Sequence, residues 1–471
     1  MIMLSRRGIL SGASALGFTA ASGLLGTMGR AHAADTSGYK ALVCLFLKGG
    51  MDCADTVLPT DKASHDALGE ARGDLWSAYG VGSGTSSRDT ENILALDTAR
   101  GFGGRGFGLP QELRPLHDLY KAGRMALVGN VGPLVEPVTR DRMDSGTAAL
   151  PPRLFSHNDQ QSMWMSGGLE GRRLGWGGQF ADRVAPSSGT GLTFAAITAD
   201  KPETFLRGDR TRQYPGRRQG PVKLGLVEDA YRLGNGNDAA REVLRKHFAS
   251  EGRQSSNMLR RDLIAGNQRT QGDNATYKAA VEGAPELATV FPDTHLGRQL
   301  ATVATSISIR GTLGTSRQVF YAEMGGFDTH ASQATNLPKK QREMADAVRA
   351  FDDAMIEMGL SESVTLFTAS DFGRTVLGNG DGTDHGWGNH HFVIGGAVRG
   401  GEIYGELPPF DFGLQSYTKT RGRLIPDTSV DQYAATLGRW FGLSDGDMAD
   451  ALPNLGNFDA RDLGFMVGTA A

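Results

Sequence analysis

Cysteine is scarce in this chain, and several familiar catalytic motifs do not occur in it at all. Only Cys44 and Cys53 are present among 471 residues, which excludes a disulfide framework. The sequence contains no internal repeat, phosphate-binding P-loop, Gly-x-Ser-x-Gly nucleophile turn or heptad run. The net charge of -3 lacks the basic excess of a general nucleic-acid-binding protein. We therefore expect no nucleic-acid partner.

Long apolar runs are also lacking, even at the N-terminus, where Ser5-Arg6-Arg7-Gly8-Ile9-Leu10 forms a twin-arginine signature. A weakly apolar segment and a small-x-small cleavage site, Ala31-His32-Ala33, follow it. The pattern predicts a twin-arginine signal peptide over residues 1–34, recognised by the twin-arginine export machinery. A membrane anchor is the less favoured alternative because the segment is short and rich in Gly and Ser. We expect a mature protein without a membrane span, periplasmic or secreted.

The composition of the remainder is that of an ordinary folded protein, with 39% hydrophobic and 21% charged residues. We predict a single α/β domain over residues 35–471. Residues 201–292 differ in character, being strongly polar with helical patterns around 228–248 and 257–265, and are predicted to form a helical insertion. The insertion contains clustered arginines, for which a solvated face is favoured over an anion site. These are Arg207, Arg210, Arg212, Arg217 and Arg218.

Apolar runs divide the domain into alternating strands and helices, which predicts a doubly wound, mostly parallel sheet with helices on both faces. The first two strands and the helix between them are predicted to form a βαβ unit, and residues 80–108 a mobile surface loop. Strands are predicted at 41–47, 125–131, 192–197, 318–322, 366–370 and 392–394, and helices at 111–121, 295–310, 339–358 and 429–441.

Acidic and histidine side chains follow the ends of three predicted strands. In a parallel sheet these carboxyl ends share one edge, where ligands bind, and Asp with His is a ligand set typical of zinc. The alternative for this region is a loop with solvated histidines, and for Asp52 a helix-capping role. Cys44 is expected to be buried, and a ligand role for Cys53 is not favoured. The residues concerned are Asp52, Asp328, His330, Asp371, Asp384, His385, His390 and His391.

Ser156 is a suitable N-cap for a helix starting at His157, which places both residues at a helix N-terminus. Such an end favours anionic ligands, so either side chain is a candidate for substrate contact. The alternative is a capped amphipathic helix with Met163 and Trp164 in the core. The sequence favours neither reading.

Taken together, the ordered motifs resemble the bacterial family known as domain of unknown function 1501 (DUF1501), over nearly the whole mature chain. The motifs that carry this resemblance are LFLKGGMDCADTVLP, FSHNDQQSMWMSG, GWGGQFADRV, EMGGFDTH, TASDFGRT and GTDHGWGNHHFVIGGAVRGGEIYGELP.

The order of these motifs is also similar to that of the alkaline phosphatase and sulfatase superfamily. This resemblance implies an alkaline-phosphatase-like α/β fold and two divalent ions that activate a nucleophile and neutralise phosphoryl or sulfuryl oxygens. Zinc is the ion expected first, with manganese, magnesium and calcium as alternatives. Glu323 matches the position of a further acidic ligand. The matching metal-binding positions are Asp52, Asp328, His330, Asp371 and His385.

The chain departs from the superfamily pattern at three points. Phe372 stands where an Asp-His pair is usual, so the second metal lacks an imidazole unless His390 or His391 supplies it. The attacking position is matched by His157, with Ser156 before it. The Cys-x-Pro-x-Arg signature of sulfatases is absent after Cys53, which argues against a formylglycine sulfatase.

The sequence therefore predicts an exported metal-dependent hydrolase acting on small-molecule or polymeric esters of phosphate or sulfate. Ser156 or His157 is expected to act over the metal cluster as nucleophile, acid/base or substrate ligand. The alternative is a non-catalytic periplasmic protein that keeps the fold to bind an envelope polymer or a partner.

Overall fold

The computed structural model describes residues 37–168, 170–187, 191–216 and 256–468. The predicted signal peptide at 1–34, the predicted helix at 228–248, and Arg217 and Arg218 lie outside the described residues. Within the described ranges, no helix is both long enough and apolar enough to cross a membrane.

The described residues contain short and long strands that together form three sheets. The strands are β1 Lys40–Leu47, β2 Leu58–Pro59, β3 Leu94–Leu96, β4 Phe107–Leu109, β5 Met125–Gly132, β6 Ala196–Thr198, β7 Tyr214–Pro215, β8 Arg317–Met324, β9 Val364–Ser370, β10 Arg374–Gly378, β11 Thr383–His385, β12 Asn389–Ile394, β13 Ile403–Gly405 and β14 Thr428–Ser429.

Helices connect and cover these strands, and several start at the side-chain caps that the sequence offers. Ser429, for example, forms a capping box with Gln432. The helices are α1 Lys62–Ala71, α2 Gly73–Ala78, α3 Arg114–Lys121, α4 Arg140–Asp144, α5 His157–Ser166, α6 Trp176–Ser187, α7 Met258–Glu282, α8 His295–Ser308, α9 Gln333–Glu357, α10 Val430–Phe441 and α11 Asp445–Ala451.

The large sheet has the order β13-β5-β12-β9-β1-β8-β6-β7, with β14 also paired to β5. Its strands pair in parallel except β12, which is antiparallel to both β5 and β9. Alternate residues of β1 enter two separate apolar cores. Val43 and Leu45 pack in the core with residues of α3, α8 and α9, whereas Leu42 and Cys44 pack with residues of α6 and α10. The predicted α/β fold with helices on both faces is confirmed.

Three details of the prediction were wrong. Strand β5 is not a neighbour of β1, because β1 pairs along its length with β8 and β9 and has no free edge. Residues 80–108 contain β3 and β4, which form an antiparallel sheet with β2. The strand predicted at 192–197 is restricted to 196–198.

In the predicted insertion, the helix expected at 257–265 is the start of the longer α7.

Candidate metal centre

The central strands bring distant parts of the sequence to one edge of the sheet. In the parallel register of β1, Leu47 lies beside Met324 of β8 and beside Ser370 of β9. The loops that follow these three strands therefore start side by side. Gly49 allows their close contact: its φ is +113°, and a Cβ there would lie 2.4 Å from the backbone nitrogen of Asp328.

Asp371 is a fully buried member of this edge. Its Oδ1 accepts a hydrogen bond from the Gly49 N–H at 3.2 Å, and its Oδ2 accepts one from Gln161 Nε2 at 2.9 Å. The same Oδ2 lies 2.5 Å from Nδ1 of His157, the first residue of α5. Since both oxygens are engaged by the protein, Asp371 serves to orient His157.

Asp328 lies at the centre of three imidazole rings. Its Oδ1 is 3.1 Å from Nε2 of His330 and 3.2 Å from Nε2 of His385, and its Oδ2 is 3.4 Å from Nε2 of His157. The two Nε2 atoms that share Oδ1, those of His330 and His385, are 2.9 Å apart. Ligand atoms of His157, Asp328 and His385 all lie within 4.8 Å of one another.

The outer nitrogen of each of two rings, His385 and His330, has an acceptor of its own. His385 Nδ1 lies 2.8 Å from the backbone oxygen of Phe155, and His330 Nδ1 lies 3.2 Å from Oδ1 of Asp384. When each Nδ1 donates to its outer acceptor, both inner Nε2 atoms keep a lone pair directed at Asp328 and at each other. In that state two lone pairs and the Asp328 oxygen, which also accepts from Arg374, face one another, and a metal cation would stabilise this arrangement. The donor set fits a divalent metal ion.

A buried arginine and the neighbouring carboxylates shift the pKa values of the clustered side chains in different directions. Burial raises the pKa of Asp328, but the hydrogen bond and charge of Arg374, at 2.6 Å, outweigh burial and lower it. Burial and Arg374 lower the pKa of His330, and burial lowers that of His385. By contrast, the hydrogen bond to Asp371 raises the pKa of His157 against the effect of burial. The pKa values of His330 and His385 are thus lowered, whereas that of His157 is raised.

Backbone strain is concentrated around the cluster. Among the described residues, five that are not glycine have a positive φ, and four of them lie in loops that border the site. Phe155 (φ 71°) supplies the oxygen for His385, Ser332 (φ 53°) follows His330 by two residues, and Arg421 (φ 61°) pairs with Asp384. The fourth is Arg153 (φ 48°). Such conformations cost about 1–3 kcal/mol each and are typical of functional sites.

Asp52 is placed differently from its prediction as a metal ligand. It is fully buried, and its two oxygens accept hydrogen bonds from Arg72 at 2.8 and 2.9 Å. Gln333 Nε2 donates to Oδ2 at 2.7 Å. The guanidinium already neutralises and saturates this carboxylate, so the arrangement argues against a ligand role for Asp52.

Two other acidic or nucleophilic candidates are also directed elsewhere. Ser156 is the N-cap residue of α5, as predicted, but its hydroxyl donates to Asp159 Oδ2 at 2.8 Å. Glu323 forms an ion pair with Lys48 at 2.6 Å. These partners argue against Ser156 as a nucleophile and against Glu323 as a ligand.

His390 and His391 belong to β12 and are buried away from solvent. His390 Nδ1 accepts a hydrogen bond from the backbone N–H of Asn130 at 3.0 Å, and burial lowers the pKa of His390 to about 4. His391 Nδ1 is 3.2 Å from the Thr368 hydroxyl, and burial lowers its pKa to about 3. Neither therefore replaces the missing second-site imidazole.

Sequence reasoning missed the residues that support the cluster from outside. Arg374 follows Asp371 by three residues, and this proximity is recognisable as a signal only once the structure is known. Phe155 acts through its backbone oxygen, and no side-chain pattern reveals such a role. Gln161 lies one helical turn after His157, so the predicted helix did contain a signal for its proximity.

Comparison with known proteins gives a family but no activity. A family model described as "Protein of unknown function (DUF1501)" matches residues 39–452. No curated protein matches the sequence.

The solved structures that match this chain resemble it only weakly. PsFucS1 sulfatase from Pseudoalteromonas sp. has a TM-score of 0.33 at 9% identity, covering 86% of this chain and 68% of that chain. The structure of Ps i-CgsB in complex with k-i-k-neocarrahexaose has a TM-score of 0.35 at 9% identity, covering 90% and 77%. A putative sulfatase from Bacteroides thetaiotaomicron VPI-5482 has a TM-score of 0.26 at 11% identity, covering 79% and 68%. At these TM-scores the likeness supports no conclusion about activity.

Proposed function

The chain belongs to the DUF1501 family, and we propose that it is an exported hydrolase that uses one divalent cation to cleave phosphate or sulfate esters. The family description assigns no activity, so the proposal depends on the side chains of the site. Export is inferred from the twin-arginine signature in residues 1–34.

One observation carries the proposal: the Nε2 atoms of His330 and His385 are 2.9 Å apart and face the same oxygen of Asp328. These three side chains would hold the ion. Two imidazole nitrogens favour zinc over magnesium or calcium, with manganese as the alternative. The predicted second ion is not proposed, because Asp52 is fully buried and both of its oxygens are bonded to Arg72.

His157 and Asp371 would supply the acid/base function. Asp371 fixes His157 Nδ1, which leaves Nε2 directed towards the cluster. In that position Nε2 can accept a proton from an attacking water and return it to the leaving oxygen. A divalent cation, when bound, would lower the pKa of that water and stabilise charge on the ester oxygens.

A non-catalytic binding protein is the second candidate, and the orientation of Ser156 is the observation in its favour. The Ser156 hydroxyl donates to Asp159 and is not hydrogen-bonded to any residue of the cluster. An ion held by Asp328, His330 and His385 would then organise a binding surface. The two candidates differ in turnover and agree on one metal ion per chain.

The test is elemental mass spectrometry on the mature protein, combined with a screen of phosphate and sulfate esters. We expect about one equivalent of a transition metal in the wild type and loss of metal and hydrolysis in His330→Ala with His385→Ala. His295→Ala is the matched control, because His295 is exposed and pairs with Asp200 rather than with the cluster. Absence of bound metal after reconstitution would contradict the proposal. Metal without ester turnover would favour the binding protein.

A further inference from the structure

Arg423 is held directly behind the cluster residue His385. Its Nε donates to the backbone oxygen of His385 at 2.7 Å, and its guanidinium carbon lies 4.2 Å from the centre of the Phe155 ring. Phe155 in turn accepts the Nδ1 proton of His385 through its backbone oxygen. The guanidinium plane is therefore fixed against the loop that orients a proposed metal ligand.

The rest of this guanidinium is not satisfied by the protein. Arg423 is half-buried, yet it forms no ion pair with any carboxylate in the described part of the chain. Its Nη1 reaches only Thr420, at 3.5 Å from both the backbone oxygen and the hydroxyl, which is the outer limit of hydrogen bonding. No hydrogen bond from Nη2 to a described residue is present. The terminal nitrogens of Arg423 therefore have N–H donors left over for a ligand.

The groups around Arg423 add to its uncompensated positive charge. Arg421 places a second positive charge near Arg423. Arg421 itself is neutralised by Asp384, the carboxylate that also faces His330. The carboxylate of Asp384 is thus already paired with Arg421.

We propose that Arg423 binds the oxyanion group of the substrate, a sulfate or a phosphate, through its terminal nitrogens. A guanidinium presents parallel N–H groups that match two oxygens of a tetrahedral anion, and fixing it beforehand reduces the entropy lost on binding. The choice of an ester anion rests on the proposed function. The anion site itself does not require the metal and can be tested without it.

The experiment is isothermal titration calorimetry of inorganic sulfate, inorganic phosphate and acetate into the mature chain, both chelator-treated and zinc-loaded. We expect sulfate or phosphate to bind the metal-free wild type and Arg423→Gln to weaken this binding about 10- to 100-fold. Arg423→Lys keeps the positive charge but not the parallel N–H groups of the guanidinium, and should weaken binding by a smaller factor. Tighter binding of acetate than of both tetrahedral anions would overturn the proposal.

Arg310→Gln is the matched control. Arg310 is also half-buried and stacks on an aromatic ring, at 5.2 Å from the Tyr39 ring centre, but it precedes β8 and lies at the opposite edge of the sheet. Anion binding should be unchanged in this variant. Equal weakening in Arg310→Gln, or wild-type affinity in Arg423→Gln or Arg423→Lys, would overturn the proposal.

Metal content separates failure of this inference from failure of the proposed function. Arg423→Gln should retain metal like the wild type while losing anion affinity. Loss of metal in that variant would assign Arg423 a structural role and overturn the proposal. Arginine-dependent anion binding in a protein that takes up no metal would leave the anion site supported and the hydrolase contradicted.

Discussion

Asp52 and Asp328 follow neighbouring parallel strands, yet the protein neutralises them in different ways. Asp52 is buried, and the guanidinium of Arg72 occupies both of its oxygens. Asp328 is 42% exposed, and although Arg374 donates to it, imidazole nitrogens surround the same carboxylate.

The difference shows how one sheet edge supports both stability and chemistry. A buried guanidinium is permanently charged and cannot be exchanged, so the Asp52 pair is a fixed part of the fold. Asp328 also pairs with a buried guanidinium, that of Arg374, but its exposed side faces imidazole nitrogens that can hold a second, exchangeable cation. Four predictions test whether this distinction between a structural and a functional carboxylate holds.

The largest effect is expected at the structural pair. Arg72→Met leaves the buried Asp52 charge without its partner and should lower the free energy of unfolding by about 3–5 kcal/mol. Urea unfolding of the variant and the wild type measures this loss. Replacing both partners, with Asp52→Asn added, should restore part of the stability, because no unpaired charge then remains buried.

The control for Arg72 is an arginine in an exposed pair. Arg298 contacts Asp293 at 2.7 Å, and both side chains are mostly exposed. Arg298→Met should change stability by less than about 1 kcal/mol. If Arg72→Met were equally mild, Asp52 would not need its arginine and the proposed contrast with Asp328 would fail.

Asp371 tests the other side of the comparison, since it was predicted as a ligand and the structure places it against His157. Asp371→Asn should lower the rate of ester hydrolysis by about 10²-fold or more, equivalent to about 3 kcal/mol, because His157 loses its orienting carboxylate. Metal content should stay at the wild-type level. Loss of the metal in this variant would instead restore Asp371 as a ligand.

The fold was predictable where burial alone decides the structure. The continuous apolar runs at 41–47 and 366–370 are strands of the sheet interior, and both were found within two residues of their predicted bounds. Strand order was not predictable in the same way. It depends on pairing between distant segments, as when β9 and β12 separate β5 from β1.

The candidate site was predictable as a set of residue types but not as a set of contacts. Asp and His after strand ends indicated the cluster, and Asp328, His330, His385, Asp371 and His157 do lie together. The partner of Asp52 was not recognisable, because Arg72 is twenty residues away in an unremarkable helix junction. Charge neutralisation inside a protein depends on packing, which the local sequence does not encode.

A third aspartate sharpens the comparison because it is buried without an arginine bonded to it. Asp431 accepts a hydrogen bond from the Asn454 N–H at 2.8 Å, and burial raises its pKa to about 6. Between about pH 4 and pH 6 the unfolded chain has lost this proton and the folded chain retains it, so stability falls as the pH rises. The fall should total roughly 3 kcal/mol.

Asp431→Asn should remove this part of the pH dependence, because the amide does not ionise. Urea unfolding between pH 4 and pH 7 measures the slope for the variant and the wild type. Asp459→Asn is the control, since Asp459 is exposed and its change should leave the slope unaltered. An identical slope in all three proteins would mean that burial of a lone carboxylate is tolerated here, and that Asp52 did not require an arginine.

The smallest effect is expected for a residue that contacts a proposed metal ligand without binding the metal itself. Asp384→Ala removes the acceptor of His330 Nδ1 and should weaken metal binding about 10- to 100-fold by freeing the ring and its tautomer. Competition with a chelator measures this affinity. Asp200→Ala is the control, because Asp200 contacts His295 in the same way, at 3.2 Å, away from the cluster. Unchanged affinity in Asp384→Ala would mean that the rings need no outer partner. In that case Asp328 would differ from Asp52 only in its exposure. An accessible carboxylate beside imidazole rings would then be enough to hold an ion, without a residue that orients the rings.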